Sequence, residues 1–166
     1  CNAVRYFSEV DAYAGFMDGY VLANCIGGQF EATFEEELEA AGRGHVVVYA
    51  VDTDDSGQQD MDRMRLGLTL SLLTDDTYFT YDFGPRDHGQ AWGYPEYDVH
   101  LGEPHGPWYQ EGESYWRQFE EGLVVASPHS ETLVTFDAAH TDVTTGIAGT
   151  QFSIQPSDGR IYLRAD

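Results

Sequence analysis

The sequence contains no lysine: its 8 basic residues are all arginine, and they face 29 aspartate and glutamate residues. The formal net charge is therefore -21 at pH 7. A surface of this sign repels the phosphate backbone, which proteins normally hold through clustered basic side chains. We therefore predict that nucleic acid is not a partner.

Long apolar runs and cysteines are also scarce. No apolar stretch approaches the roughly 20 residues of a spanning helix, and residues 1–5 do not resemble the start of a signal peptide, so we predict no membrane span. The two cysteines, Cys1 and Cys25, are too few for a disulfide framework, and a single pairing between them stays open. The sequence predicts no cofactor.

The acidity is spread over the whole chain. Residues 1–90 carry 17 acidic residues and 5 arginines, and residues 91–166 carry 12 and 3. An even distribution indicates an adapted surface rather than an acidic binding arm, because salt screens the repulsion between such charges. We predict an extracellular or cell-surface location in a salt-adapted organism.

The first half of the chain alternates strand-like and helix-like segments. Residues Gly19–Ala23, His45–Val51 and Thr77–Phe83 are short, largely apolar runs rich in β-branched or aromatic residues, as expected of strands. A capping box and a stop signal predict a helix between Thr33 and Gly42, and apolar residues at spacings of three and four predict another over Gln58–Leu73. This alternation is typical of parallel sheets with helical crossovers.

The second half has a different pattern. Residues 84–113 keep no period and are rich in glycine, proline and aromatic residues, which predicts a long ordered loop over the site. From Ser114 onward, short β-segments separated by turn signals predict antiparallel pairing. The predicted fold class is α/β: a partial (β/α) barrel-like parallel unit over residues 1–113, followed by a small antiparallel β-domain over residues 114–166.

Polar residues follow each predicted parallel strand. Asn24 follows the first, Asp52 and Asp54 follow the second, and Asp82 ends the third. The carboxyl ends of parallel strands meet at one edge, where active sites of α/β folds lie. Two carboxylates held roughly 5 to 10 Å apart can cleave a glycosidic bond. We predict three catalytic residues: Asp52 and Asp54 as the acid and the base or nucleophile, and Asp82 as the charge partner that sets their pKa values. Asn24 is predicted as a substrate-binding residue.

Two other interpretations of the same stretch remain open. Asp55 or Ser56 can cap the helix that begins near Gln58. Asp52, Asp54 and Ser56 also resemble the start of a calcium loop, but Arg63 stands where that loop needs a glutamate. We predict no metal site.

Five large rings lie in the loop of residues 84–113. Aromatic faces stack on sugar rings, and the acidic side chains between them can accept hydrogen bonds from hydroxyl groups. We predict Trp92, Tyr94 and Trp108 as sugar-binding rings and a carbohydrate as the partner. The alternative is that individual rings only anchor the loop to the sheet. The five rings are Trp92, Tyr94, Tyr97, Trp108 and Tyr109.

Several segments, taken in order, resemble the carboxyl-terminal part of a hypothetical glycosyl hydrolase family with a TIM-barrel fold. The barrel-like segments are Asp18–Asn24, Arg65–Leu73, Tyr78–Gly84 and Asp98–Pro104, and the segments that resemble the small β-domain after the barrel are Arg117–Pro128 and Gly159–Leu163.

The resemblance implies hydrolysis of a poly- or oligosaccharide by acid/base catalysis. Related sequences place an acid just before the asparagine of the first segment, where this chain has Ala23. A catalytically inactive carbohydrate-binding or cell-surface module, or a fragment of a larger assembly, is therefore the alternative. A complete barrel needs about 250 residues, so a missing amino-terminal barrel part or another subunit is a further expected partner.

Overall fold

A computed structural model of the chain describes residues 19–23, 46–53, 55–75, 77–84, 86–87, 89–90 and 92–165. Three predictions lie outside these residues: a Cys1 to Cys25 pairing, the helix between Thr33 and Gly42, and any contact of Asn24 or Asp54. Within the described ranges, no helix has the length and apolar character needed to cross a membrane.

Three strands form a parallel sheet. They are β1 (Gly19–Ala23), β2 (Val46–Asp52) and β3 (Thr77–Asp82), with β2 in the centre. The alternating side chains Val47, Tyr49 and Val51 of β2 are buried, as expected of a strand whose one face packs on a core. The three predicted strands and their parallel direction are confirmed.

The helix α1 (Met61–Ser71) connects β2 to β3, and its prediction is confirmed. Its N-cap is Asp60, whose side chain accepts a hydrogen bond from the backbone N–H of Arg63 at 3.1 Å. The predicted cap at Asp55 or Ser56 is wrong, because the chain runs on as a loop to Asp60. All eight residues from Met64 to Ser71 are buried, so the helix is covered on more than one side.

After β3 the chain enters a 3₁₀ turn, Pro95–Asp98, and then an antiparallel sheet. The predicted antiparallel pairing from Ser114 onward is confirmed. The six strands of this sheet are β4 (Tyr109–Glu111), β5 (Ser114–Gln118), β6 (Gly122–Ser127), β7 (Thr132–Asp142), β8 (Ala148–Ile154) and β9 (Asp158–Arg164). Their spatial order is β4-β5-β6-β9-β7-β8.

The predicted α/β fold class with a barrel-like unit is wrong. The described residues form nine β-strands and one α-helix, so this part of the chain is mainly β. Helix α1 does not lie on the outside of a closing barrel, because its second side packs against β9 and β6 of the antiparallel sheet. The antiparallel sheet thus covers a second side of the helix.

One apolar core joins the two sheets through the helix. Val51 and Tyr81 come from the parallel sheet, Met64 and Leu68 from α1, and Ile161 from β9. A second cluster lies under the β7–β8 hairpin, where β7 has a register shift between Thr135 and His140. The core therefore fixes the position of the parallel strand ends relative to the rest of the molecule.

Candidate functional site

Two of the predicted catalytic residues are direct neighbours. Asp52, at the end of β2, is the register partner of Asp82, at the end of β3. Partners in a parallel sheet project to the same face, on strands about 4.8 Å apart. Asp52 is 7% exposed and Asp82 is half-buried. The structure therefore brings two carboxylates from separate strands together, whereas Asp54 and Asn24 lie outside the described residues.

The turn after β2 holds the two strand ends together. The Thr53 hydroxyl donates to the carbonyl of Phe83 at 2.6 Å and accepts from the backbone N–H of Gly57 at 2.9 Å. The Thr53 N–H also donates to the Asp82 carbonyl at 3.2 Å. These bonds fix the backbone at both strand ends. The spacing between Asp52 and Asp82 is therefore set by the backbone.

Asp55 supports this turn from the other side. Its carboxylate accepts from the backbone N–H of Arg86 at 2.9 Å and pairs with the Arg86 guanidinium at 3.2 Å. Asp55 has a φ of 59°, and a Cβ added at Gly84 would lie 2.7 Å from the Asp55 backbone nitrogen. Only glycine permits this close approach of the two loops.

An open cleft of about 560 Å³ lies at this edge of the sheet. It extends from the end of β2 to the first turn of α1, so it combines carboxylates, two glutamine amides and one guanidinium. Asp52 lines the cleft directly, and Asp82 lies beside it on the adjacent strand. The lining residues are Asp52, Thr53, Ser56, Gln58, Gln59, Asp60, Met61, Asp62 and Arg63.

Tyr81 holds the helix side of the cleft in place. Its hydroxyl accepts from the Asp60 N–H at 2.8 Å and donates to the Asp60 carbonyl at 3.2 Å. Burial raises the pKa of Tyr81, so the hydroxyl stays protonated and both hydrogen bonds persist at neutral pH. Tyr81 directly precedes Asp82. The end of β3 therefore supplies both the Asp82 carboxylate and the hydroxyl that holds Asp60 on the helix side of the cleft.

The three rings predicted to bind sugar pack against the protein. Tyr94 is only 8% exposed in the main core, where burial raises its pKa to about 12. Trp92 is half-buried and its ring centroid lies 5.6 Å from that of Tyr81. Trp108 is half-buried against Tyr115, with centroids 5.8 Å apart. Their sugar-binding role stays a prediction, and what the structure shows is anchoring of the segment to the core.

Sequence reasoning did not single out the residues that line the helix side of the cleft, which include Gln59, Asp60 and Asp62. A signal for them existed, since they lie between the end of a parallel strand and the first turn of the following helix. No comparable signal marked Glu96, which is buried and accepts from the Thr144 hydroxyl at 2.8 Å. Thr144 is 48 residues away, so only the tertiary structure pairs them.

The sequence matches the model of a known family. The model of the family described as hypothetical glycosyl hydrolase family 15 matches residues 6–123, which cover β1 to β3, helix α1 and the cleft. No curated protein matches the chain.

Proposed function

Because the chain belongs to the hypothetical glycosyl hydrolase family 15, we propose that it cleaves glycosidic bonds of a neutral poly- or oligosaccharide in the cleft beside Asp52. Asp52 and Asp82 act as the pair of carboxylates that this chemistry requires. The observation that supports the proposal most directly is their register pairing at the carboxyl ends of neighbouring strands.

The two carboxylates have different surroundings, which suits different roles. Asp52 is buried at the cleft wall, and Asp82 is half-buried. Glycoside hydrolysis needs one carboxylic acid at the leaving-group oxygen and one carboxylate as base or nucleophile. In this proposal Asp52, which lines the cleft, is the general acid, and Asp82, beside it on β3, is the base or nucleophile.

The charge of the protein limits the substrate class. The net charge is -21, and three aspartates line the cleft. A polysaccharide that carries carboxylate or sulfate groups would be repelled from this edge, whereas hydroxyl groups of a neutral sugar can donate to the same carboxylates. The amides of Gln58 and Gln59 can both donate and accept, as sugar hydroxyls require.

We expect Asp52→Asn and Asp82→Asn each to lower hydrolysis of a neutral polysaccharide by at least about 100-fold, the usual contribution of one acid or base group. The measurement is the release of reducing ends from soluble β-1,3-glucan, β-1,4-xylan and α-1,4-glucan. Asp137→Asn, at an exposed position of β7, is the matched control and should retain wild-type activity.

Unchanged hydrolysis in both variants, with wild-type thermal unfolding, would remove the carboxylate pair from the mechanism. Asp54→Asn belongs in the same series, because Asp54 stays a predicted catalytic residue. If only Asp54→Asn abolishes activity, the strand-end edge is correct but the pair is wrongly assigned.

A second candidate is a carbohydrate-binding module without hydrolytic activity. Ala23 favours it, because β1 ends on an alanine, opposite Ala50 of β2, at the position where the resemblance implies an acid. The described part of the edge then has acids from two strands rather than three. Saccharide binding by the wild-type protein with no reducing ends after prolonged incubation would support this candidate over hydrolysis.

We further propose that the protein works in concentrated salt, outside the cell or at its surface, because its charge of -21 is spread along the chain. Raising KCl from about 0.1 M to about 1 M shortens the Debye length from about 10 Å to about 3 Å and weakens the repulsion between carboxylates. We expect Tm to rise by about 3 °C or more, which corresponds to about 1 kcal/mol for a chain of this size.

The salt effect is measured by thermal unfolding in KCl, with sucrose at equal osmolality as the uncharged control. A Tm that falls or stays constant between the two KCl concentrations would contradict the adaptation to salt.

A further inference from the structure

Tyr109 presents one face of its ring to solvent at the edge of the antiparallel sheet. It lies on β4, whose three residues are all exposed, and it is itself 46% exposed. Its register partner across the strand pair is Trp116 of β5. The two rings are nearly parallel, with an interplanar angle of 17° and centroids 6.3 Å apart. One face of Tyr109 therefore packs on Trp116 and the opposite face is available to a ligand.

The support under Tyr109 is rigid. Trp116 is 7% exposed and belongs to the second core cluster, together with Leu123, Val125 and Tyr162. A ring that rests on a packed core loses little conformational freedom when a ligand covers its outer face. In this respect Tyr109 differs from Trp92, Tyr94 and Trp108, which are themselves packed in or against the protein.

An acidic group accompanies the ring. Partial burial and the nearby charge of Glu111 both raise the pKa of Tyr109, and the phenol is protonated at neutral pH. Glu111 lies two residues along the same strand, and side chains two residues apart project to the same face. The surface thus combines a flat apolar ring, a hydroxyl donor and a carboxylate acceptor.

We propose that the outer face of Tyr109, together with Glu111, binds a neutral sugar ring as a second carbohydrate-contact site. The apolar face of a pyranose stacks on an aromatic ring while its hydroxyl groups donate to a neighbouring carboxylate. The site lies on β4, whereas the cleft lies at the ends of β2 and β3. This proposal rests on the proposed function in one respect only: the ligand is taken to be a neutral carbohydrate.

A strand from a second copy of the chain is the other occupant that an edge strand invites. Two observations disfavour it. β4 has only three residues, which offers little backbone to pair with, and a second copy would bring another net charge of -21 to the exposed Glu111. A neutral saccharide needs no long strand to pair with, and Glu111 does not repel it.

The test is affinity electrophoresis of the whole chain in gels that contain soluble β-1,3-glucan, β-1,4-xylan or α-1,4-glucan. At least one polysaccharide should retard the wild-type protein, and Tyr109→Ala should weaken the apparent affinity at least about tenfold. Tyr109→Phe keeps the ring and should retain most of the retardation. Tyr78→Ala removes a tyrosine that is 59% exposed on β3 and should retain all of it.

Glu111→Gln should weaken binding less than Tyr109→Ala, since the amide still accepts one hydrogen bond. Equal affinity of Tyr109→Ala and wild type, equal losses in Tyr109→Ala and Tyr78→Ala, or no retardation by any of the three polysaccharides would overturn the proposal. A further outcome is that retardation disappears when the protein is diluted, while sedimentation analysis shows a dimer. This combined result would overturn the proposal and assign the surface to a second copy of the chain.

The same gels separate this site from the cleft. Asp137→Asn, the exposed control position on β7, should be retarded like the wild type, because it leaves Tyr109, Trp116 and the cleft unchanged. Loss of hydrolysis in Asp52→Asn with unchanged binding in Tyr109→Ala would refute the second site alone. Unchanged hydrolysis in the aspartate variants with lost binding in Tyr109→Ala would refute the catalytic assignment alone.

Discussion

Replacing Asp158 by asparagine is expected to lower the free energy of unfolding by about 3 kcal/mol or more, the usual cost of removing one partner from a buried ion pair. Asp158 is 1% exposed at the start of β9. Its two oxygens accept from the Arg65 guanidinium at 2.8 and 3.1 Å, and one of them also pairs with Arg160 at 2.5 Å. Asparagine keeps the shape but leaves two guanidinium groups facing a neutral amide.

The matched control is Asp62→Asn. Asp62 also pairs with Arg65, from one turn away on the same helix, but its side chain is 63% exposed. Exposed pairs contribute about 1 kcal/mol or less, because water and salt screen them. The free energies of unfolding of the two variants in urea therefore compare the buried and the exposed ion pair of Arg65.

A double variant separates the pair from its surroundings. If the cost of Asp158→Asn comes from an uncompensated Arg65, then Arg65→Met combined with Asp158→Leu should cost clearly less than the sum of the single changes. Equal free energies of unfolding for Asp158→Asn and Asp62→Asn would contradict the assignment of Asp158 as the main partner.

Replacing Gly159 by valine is expected to destabilise the protein by about 3 kcal/mol or more, at the upper end of the cost of overpacking. A Cβ at this position would lie 2.0 Å from the Thr69 hydroxyl and 2.8 Å from the Arg65 carbonyl, both on α1. The Arg65 carbonyl belongs to the helix backbone, so the helix itself must move away from β9.

Gly149→Val in β8 is the control, because its nearest contact would be the Phe152 ring at 3.5 Å, an ordinary van der Waals distance. Thermal and urea unfolding of Gly149→Val should show only a small loss of stability. Thr69→Ala removes two of the three close contacts at Gly159, so it should restore part of the stability that Gly159→Val loses. Wild-type Tm in Gly159→Val would show that α1 does not approach β9 as closely as described.

Local patterns predicted the strands and the helix well. The β-branched run of β2 and the spacing of Met61, Met64 and Leu68 each specify an element type, because burial of one face imposes a period of 2 or 3.6. The same patterns placed Asp52 and Asp82 at the ends of two parallel strands, and the structure makes them neighbours. The helix start was missed by a few residues, since several acids and a serine in succession all resemble N-caps.

The rings were harder to interpret. Composition indicated that Trp92, Tyr94 and Trp108 lie in an ordered segment, but it carried no information on which face of each ring meets the core. Tyr94 is buried and Tyr109 is exposed, although both come from the same aromatic segment. Their burial depends on where the antiparallel sheet and the 3₁₀ turn meet, which no local period encodes.

The sequence by itself determined the kinds of element, the parallel and antiparallel halves, the acidic surface and the edge at which the carboxylates gather. Only the tertiary structure decided that α1 lies between two sheets rather than on the outside of a barrel. That choice depends on contacts such as Gly159 with Thr69 and Asp158 with Arg65, which are about ninety residues apart. Shape and charge complementarity between distant segments select the packing, and neither leaves a periodic signal in the chain.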